Sequence, residues 1–309
     1  MTAPSEPAPS SPFLAYVSPQ DRSPLRVGLW LALGLPLAIF SFVLVGSAAQ
    51  ALDPALIDLA KADGAVSGAH RLLSECRLLG FSAFLELGAA MAILAAARIA
   101  FQRQAWTFVT PAHRFAPWLL VAGALAFGLL AASSLGIDLL QGAKLTPPIL
   151  DPKELQTDRL VYALASAPLI LLAAAAEEIL FRGVLLQVTG AFVKTRLGLC
   201  VVNGLVFALL HADPSPVAFM ALAIMGAVFA YSVLELGGLE FSLGAHFANN
   251  SLILLLEAPL SAAAKAAPFQ WSDLAKADTW IGLGQSAAIS GLTLVAVLLI
   301  SRARARRRR

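Results

Sequence analysis

Apolar runs of roughly bilayer-spanning length follow one another along this chain, and they constrain its fold more than any other feature. A helix needs roughly 20 residues to cross a hydrocarbon core about 30 Å thick. Candidate runs cover about Val27 to Ala48, Phe81 to Ala97, Ala116 to Ile137, Leu160 to Leu180, Leu197 to Leu210, Val217 to Leu236, Leu243 to Leu256 and Ile281 to Ile300. Charged residues are only 13% of the 309, against about 25% in soluble domains. So few charges cannot build a water-facing surface. The pattern predicts an all-α, polytopic transmembrane helical bundle of about eight spans. The fifth and seventh runs are short, and each alone also fits a buried or re-entrant helix.

Loop charges supply orientation. If all eight runs cross, Arg98, Arg103, Arg114, Arg182, Lys194 and Arg196 share one side with both termini. The opposite loops mix signs, as in Asp53, Asp58, Lys61, Asp63, Arg71, Glu75 and Arg77. Positive charge collects on the cytoplasmic side, so a multi-pass protein of the cell inner membrane with both termini cytoplasmic is expected. Residues 1–26 read as a disordered cytoplasmic lead, 27–300 as the membrane domain and 301–309 as a basic tail. The net charge of +3 comes largely from that tail, through Arg302, Arg304 and Arg306 to Arg309. Directly after an apolar run, such a tail anchors a helix at an anionic surface. Membrane lipids are therefore the expected partners and nucleic acid is not. Trp271 and Trp280 suit the far interface. Cys76, in an expected outer loop, and Cys200, within a span, predict no disulfide.

Three polar elements interrupt the apolar runs of the second half. Glu177-Glu178-Ile179-Leu180-Phe181-Arg182 puts two acids and an arginine at membrane depth. Ionisable groups there are costly and face a bundle interior or a partner. Glu178 and Arg182 are one turn apart and can pair, while Glu177 points about 100° away around the helix. Phe207 to His211 places a histidine one turn after a phenylalanine, and His246 to Asn250 places two hydrogen-bond donors on one helix face. Gly183, Gly204, Gly226, Gly237, Gly238 and Gly244 lie around these segments and permit close helix approach.

An acid, a base and paired donors make a hydrolytic set. A glutamate with His211 would activate water, and His246 with Asn250 would hold the oxyanion. The residues leave Glu177 and Glu178 interchangeable in these roles. A serine mechanism lacks a G-x-S-x-G element. Zinc held by Glu177, His211 and His246 is an alternative, although the H-E-x-x-H spacing is absent. A proton-relaying transporter is another, disfavoured by the lack of paired broken-helix repeats.

In these three elements the chain resembles the CPBP intramembrane glutamic endopeptidases, the CAAX prenyl protease type II and bacteriocin-processing group also called the Abi family. That family is marked by E-E-x-x-x-R, F-x-x-x-H and H-x-x-x-N in this order. The resemblance covers about 160–256. It implies a membrane endopeptidase without a metal cofactor, acting on a peptide or membrane-protein substrate. It also implies that Glu177 activates water with His211, that Glu178 and Arg182 support them, and that His246 and Asn250 are the oxyanion donors. Some relatives are linked to bacteriocin immunity, so a non-catalytic scaffold of the same fold is a further alternative. Neither the substrate nor an oligomeric state follows.

Overall fold

A computed structural model describes residues 11–61, 70–112, 114–140, 142, 147–211, 213, 215–257 and 270–307. Its long elements are helices. In chain order they are α1 (Pro24–Leu52), α2 (Pro54–Lys61), α3 (Arg71–Phe101), α4 (Pro117–Leu140) and α5 (Gln156–Glu178). Then come α6 (Leu186–Phe192), α7 (Arg196–His211), α8 (Pro216–Leu236), α9 (Glu240–Leu252) and α10 (Ala277–Arg307). A π-helical segment, Ile179–Leu185, joins α5 to α6 without a break. Several boundaries follow local rules. Pro24 and Pro216 sit in the opening turns of α1 and α8, where a missing N–H removes no intrahelical bond. Gly237, at φ 85°, ends α8 in the left-handed conformation, which glycine adopts without steric cost.

Five helices are long and apolar enough to cross a membrane: α1, α3, α4, α8 and α10 from Thr279 onward. The apolar α7 has 16 residues and α9 has 13. These two and α5 pack among the longer helices, α5 against α3 and α9, α7 against α8, and α9 against α4. The protein is thus a multi-span, membrane-embedded helical bundle. Both ends of the described chain meet at one face, where Ser11 donates to the Leu234 carbonyl and Arg304 to that of Leu236.

Two expectations are corrected and a third is extended. The lead is not structureless throughout, because Pro12–Leu14 and Pro19–Arg22 form 3-10 helices. Phe13 and Leu14 supply the reason: both are buried, against Leu186, Leu199 and Leu234 among others. Arg22 adds a 2.7 Å bond to the Ala191 carbonyl. The second apolar run is extended at its start, so Cys76 lies in helix α3 and not in a loop, and Glu75 is buried. Polar partners stabilise this extension. Arg71 bonds to Glu154 at 2.8 Å and Arg77 to Asp53, whose carboxyl the guanidinium holds below its usual range. The basic tail continues α10 as helix to Arg307. Cys76 and Cys200 are both unpaired. Residues 1–10, Asp63, 258–269 and 308–309, all involved in expectations above, lie outside the described residues.

Glycine sets the spacing of two helix pairs. A Cβ on Gly123 of α4 would strike the Phe241 carbonyl, and one on Gly244 of α9 would strike the Leu120 carbonyl. The two backbones therefore touch reciprocally. Gly204 of α7 meets Ala223 and Ala227 of α8 in the same way. Close approach of this kind is how membrane helices gain packing energy without a solvent-driven hydrophobic effect. Gly123→Ala and Gly244→Ala are each expected to cost ~1–3 kcal/mol through overpacking, read as a lower melting temperature in detergent. Gly284→Ala, with open space at its Cβ position, is the control and should melt no lower than the parent.

Candidate active site

The first site element straddles the junction of α5 and the π segment. There the Leu186 N–H reaches back five residues to the Phe181 carbonyl. Asn203 of α7 also donates to that carbonyl, at 2.8 Å, and so ties the two elements together. Such π turns are frequent at functional sites.

The two adjacent glutamates have different surroundings. Glu178 is 1% exposed and Arg182 is 0% exposed, with their side chains 3.2 Å apart. Arg182 is enclosed by aromatic faces, its Cζ lying 4.1 Å from the Phe207 ring centroid, 5.5 Å from Phe229 and 5.7 Å from Phe181. A cation over ring faces is attracted by their quadrupoles. The same Glu178 oxygen lies 2.9 Å from His246 Nδ1. A carboxylate only accepts hydrogen bonds, so with Glu178 ionised beside Arg182, the Nδ1 carries the proton. His246 Nε2 is then turned the other way.

Glu177 is the open member of the pair, with a side chain 20% exposed. Its Oε2 lies 3.8 Å from His211 Nε2 and 3.9 Å from His246 Nε2. His211 Nδ1 is 2.8 Å from the Phe207 carbonyl, which also only accepts. Its Nε2 is therefore the unprotonated nitrogen in the neutral ring and faces Glu177. Phe207 contacts both His211 and Arg182, its ring centroid lying 4.3 Å from that of His211 and 4.1 Å from Arg182 Cζ. Both Nε2–Oε2 separations exceed a hydrogen bond. Across separations of this size a small polar molecule can bridge Glu177 to either histidine.

Five of the six residues singled out from the sequence thus form one contact network: Glu177, Glu178, Arg182, His211 and His246. Asn250 follows His246 by one turn on α9 and is half-buried. Among the described residues its side chain bonds to none of the other five. Its Oδ1 accepts from Asn249 Nδ2 at 3.1 Å, which leaves its amide N–H groups to donate elsewhere.

A cavity of about 380 Å³ opens beside Glu177 and His211. Its wall includes Phe42 of α1, Ala176, Leu180 and Leu210, together with one acid outside the three polar elements, Glu86 of α3. Ser82 donates to Glu86 Oε1 at 2.9 Å. The signal was present in principle: a lone carboxylate between Leu85 and Leu87, midway along an apolar run, is a functional flag in a membrane helix.

Among the described residues, no group of three His, Cys, Asp or Glu side chains is placed to hold a metal ion. The zinc alternative named Glu177, His211 and His246. Tetrahedral ligands at about 2.0–2.1 Å from zinc sit roughly 3.3 Å apart, closer than the separations seen here.

Residues 159–252 match the model of a family described as Type II CAAX prenyl endopeptidase Rce1-like. The matched segment contains all three polar elements and excludes Glu86. Over 167 residues the chain is 30% identical to the uncharacterized protein YyaK of Bacillus subtilis, a stretch covering 52% of this chain and 54% of that one. The match spans about half the length of the curated relative. No solved structure matches the chain.

Proposed function

We propose that this chain is an intramembrane endopeptidase that hydrolyses a peptide bond of a membrane-associated substrate without a metal. The observation that carries the reading is the convergence of the Glu177 carboxylate with the Nε2 atoms of His211 and His246 beside a cavity. The family match over 159–252 supports it. The bundle would have about eight spans, with both termini on the cytoplasmic side of the inner membrane.

In this mechanism water sits between Glu177 and His211. Glu177 takes one of its protons as the water oxygen bonds to the carbonyl carbon. The resulting oxyanion accepts hydrogen bonds from the Asn250 amide and from His246, whose Nε2 donates in the imidazolium form. Arg182 and Glu178 hold His246 in place. The C–N bond then breaks, and the proton on Glu177, passed directly or through His211, goes to the leaving amine. Donors fixed in a dry site are worth more than in water, and a positioned acid–base group contributes about 10²–10⁴-fold.

The test is cleavage of a library of membrane-anchored peptides by the purified protein in lipid discs, with and without a chelator, alongside His211→Ala. Chelator-resistant cleavage that falls by ~10² or more in the variant supports the mechanism. Cleavage abolished by chelator and restored by zinc overturns it, and folded protein that cleaves nothing removes the enzyme reading.

A further inference from the structure

We infer that Glu86 gives the cavity a binding point for a basic side chain, so that the preferred substrate carries Lys or Arg within its membrane-embedded segment, close to the scissile bond. The inference rests on reading the cavity as the site of peptide cleavage.

Charge complementarity carries the argument. Three carboxylates, Glu86, Glu177 and Glu178, gather around this region. Glu178 is matched by Arg182 at 3.2 Å and by His246 at 2.9 Å. Glu177 faces two histidines at 3.8 and 3.9 Å. Glu86 has the Ser82 hydroxyl on Oε1, while its buried Oε2 makes no hydrogen bond among the described residues. Yet Glu86 lines the same cavity as Glu177 and His211, between apolar walls from Phe42, Ala89 and Leu180. A carboxylate in such surroundings is costly unless a cation or donors face it. The cavity therefore offers one acid to the reaction and a second, on a different helix, to a ligand. A lysine ammonium or arginine guanidinium at the cavity wall would neutralise Glu86, while apolar residues beside it fill the remaining space. Glu86 lies outside the segment that matches the family model, so this preference would belong to this chain's own first half.

The experiment measures binding first, so that it does not depend on catalysis. The probe is a fluorescent transmembrane peptide of alanine and leucine, acetylated and amidated at its ends, with one central lysine. Its counterpart carries norleucine there. Both are titrated against the full chain in lipid discs. The lysine peptide is expected to bind ~10–100-fold more tightly, the size of one charge-assisted hydrogen bond, and Glu86→Gln should bring the ratio close to one. Equal binding of the two peptides, or binding of neither, overturns the inference. So does a lysine preference that survives in Glu86→Gln. Because the ratio is first read in the unmodified protein, poor folding of the variant does not remove the test. Cleavage of both peptides is followed in parallel. Lysine-selective binding without cleavage keeps Glu86 as a binding point for a basic side chain but overturns its tie to a scissile bond, and counts against the protease reading. Cleavage without selectivity does the reverse. An equal loss of cleavage of both peptides in Glu86→Gln, with the binding ratio unchanged, assigns Glu86 to proton handling and overturns its role in recognition.

Discussion

Glu177→Gln is expected to lower cleavage by ~10²–10⁴-fold while leaving the melting temperature within about 1 °C of the parent. The two halves of this expectation have separate causes. An amide of the same shape cannot take a proton from water, so the proposed base is gone. The fold should not register the change, because Glu177 Oε2 makes no hydrogen bond among the described residues and the side chain is partly exposed to the cavity. Glu178→Gln is the informative contrast. Its carboxylate is wholly buried between Arg182 and His246, and removing one partner of a buried pair strands the other charge. That variant should lose stability and cleavage together. If Glu177→Gln cleaves at the parental rate, Glu177 is not the base. If instead it is Glu177→Gln that unfolds and Glu178→Gln that only loses activity, the two roles are reversed. The measurement is initial cleavage rate and thermal unfolding on the same preparations.

This division between neighbouring acids was not readable from the sequence, and the reason is physical. The Glu178–Arg182 pairing is local, fixed by 3.6 residues per turn, and spacing alone predicts it. Whether Glu177 then faces lipid, a neighbour or a cavity depends on α7 and α9, which deliver His211 and His246 from 34 and 69 residues away. Apolar run length placed the long helices well, because lipid imposes the same demand on each span. It failed at Arg71 to Gly80, where the charged turns of α3 are neutralised by Asp53 and Glu154 from other elements. Loop-charge counting also took in Arg182, although the motif placed it at membrane depth, and the structure encloses it among three phenylalanines. Glu86 shows the same limit. Its sequence neighbourhood is a plain apolar run, and only the packing of α3 against α5 brings it to the cavity.

Arg182→Met is expected to produce the largest loss of stability of any single change in the site, ~3–5 kcal/mol by the usual cost of breaking a buried ion pair. Methionine occupies similar space among Phe181, Phe207 and Phe229, so the cost comes chiefly from charge. Glu178 would be left with His246 as its remaining ionic partner, and the cation–ring attraction, about 2 kcal/mol or more when desolvated, would be lost as well. The double variant Arg182→Met with Glu178→Gln removes both charges at once. Its glutamine oxygen still accepts from His246 Nδ1, so no buried charge is stranded, and it should recover most of the lost stability. Thermal unfolding of the two single variants, the double and the parent gives the coupling between the residues directly. Coupling near zero would mean that the 3.2 Å contact contributes little and that the aromatic enclosure alone holds Arg182. Cleavage by the double variant then separates two uses of the arginine. Arg182 does not line the cavity, so a folded double variant that retains cleavage within ~10-fold confines the ion pair to stability. A folded double variant that has lost cleavage means that the charge on Glu178, held by Arg182, is what lets His246 carry the second proton that stabilises an oxyanion.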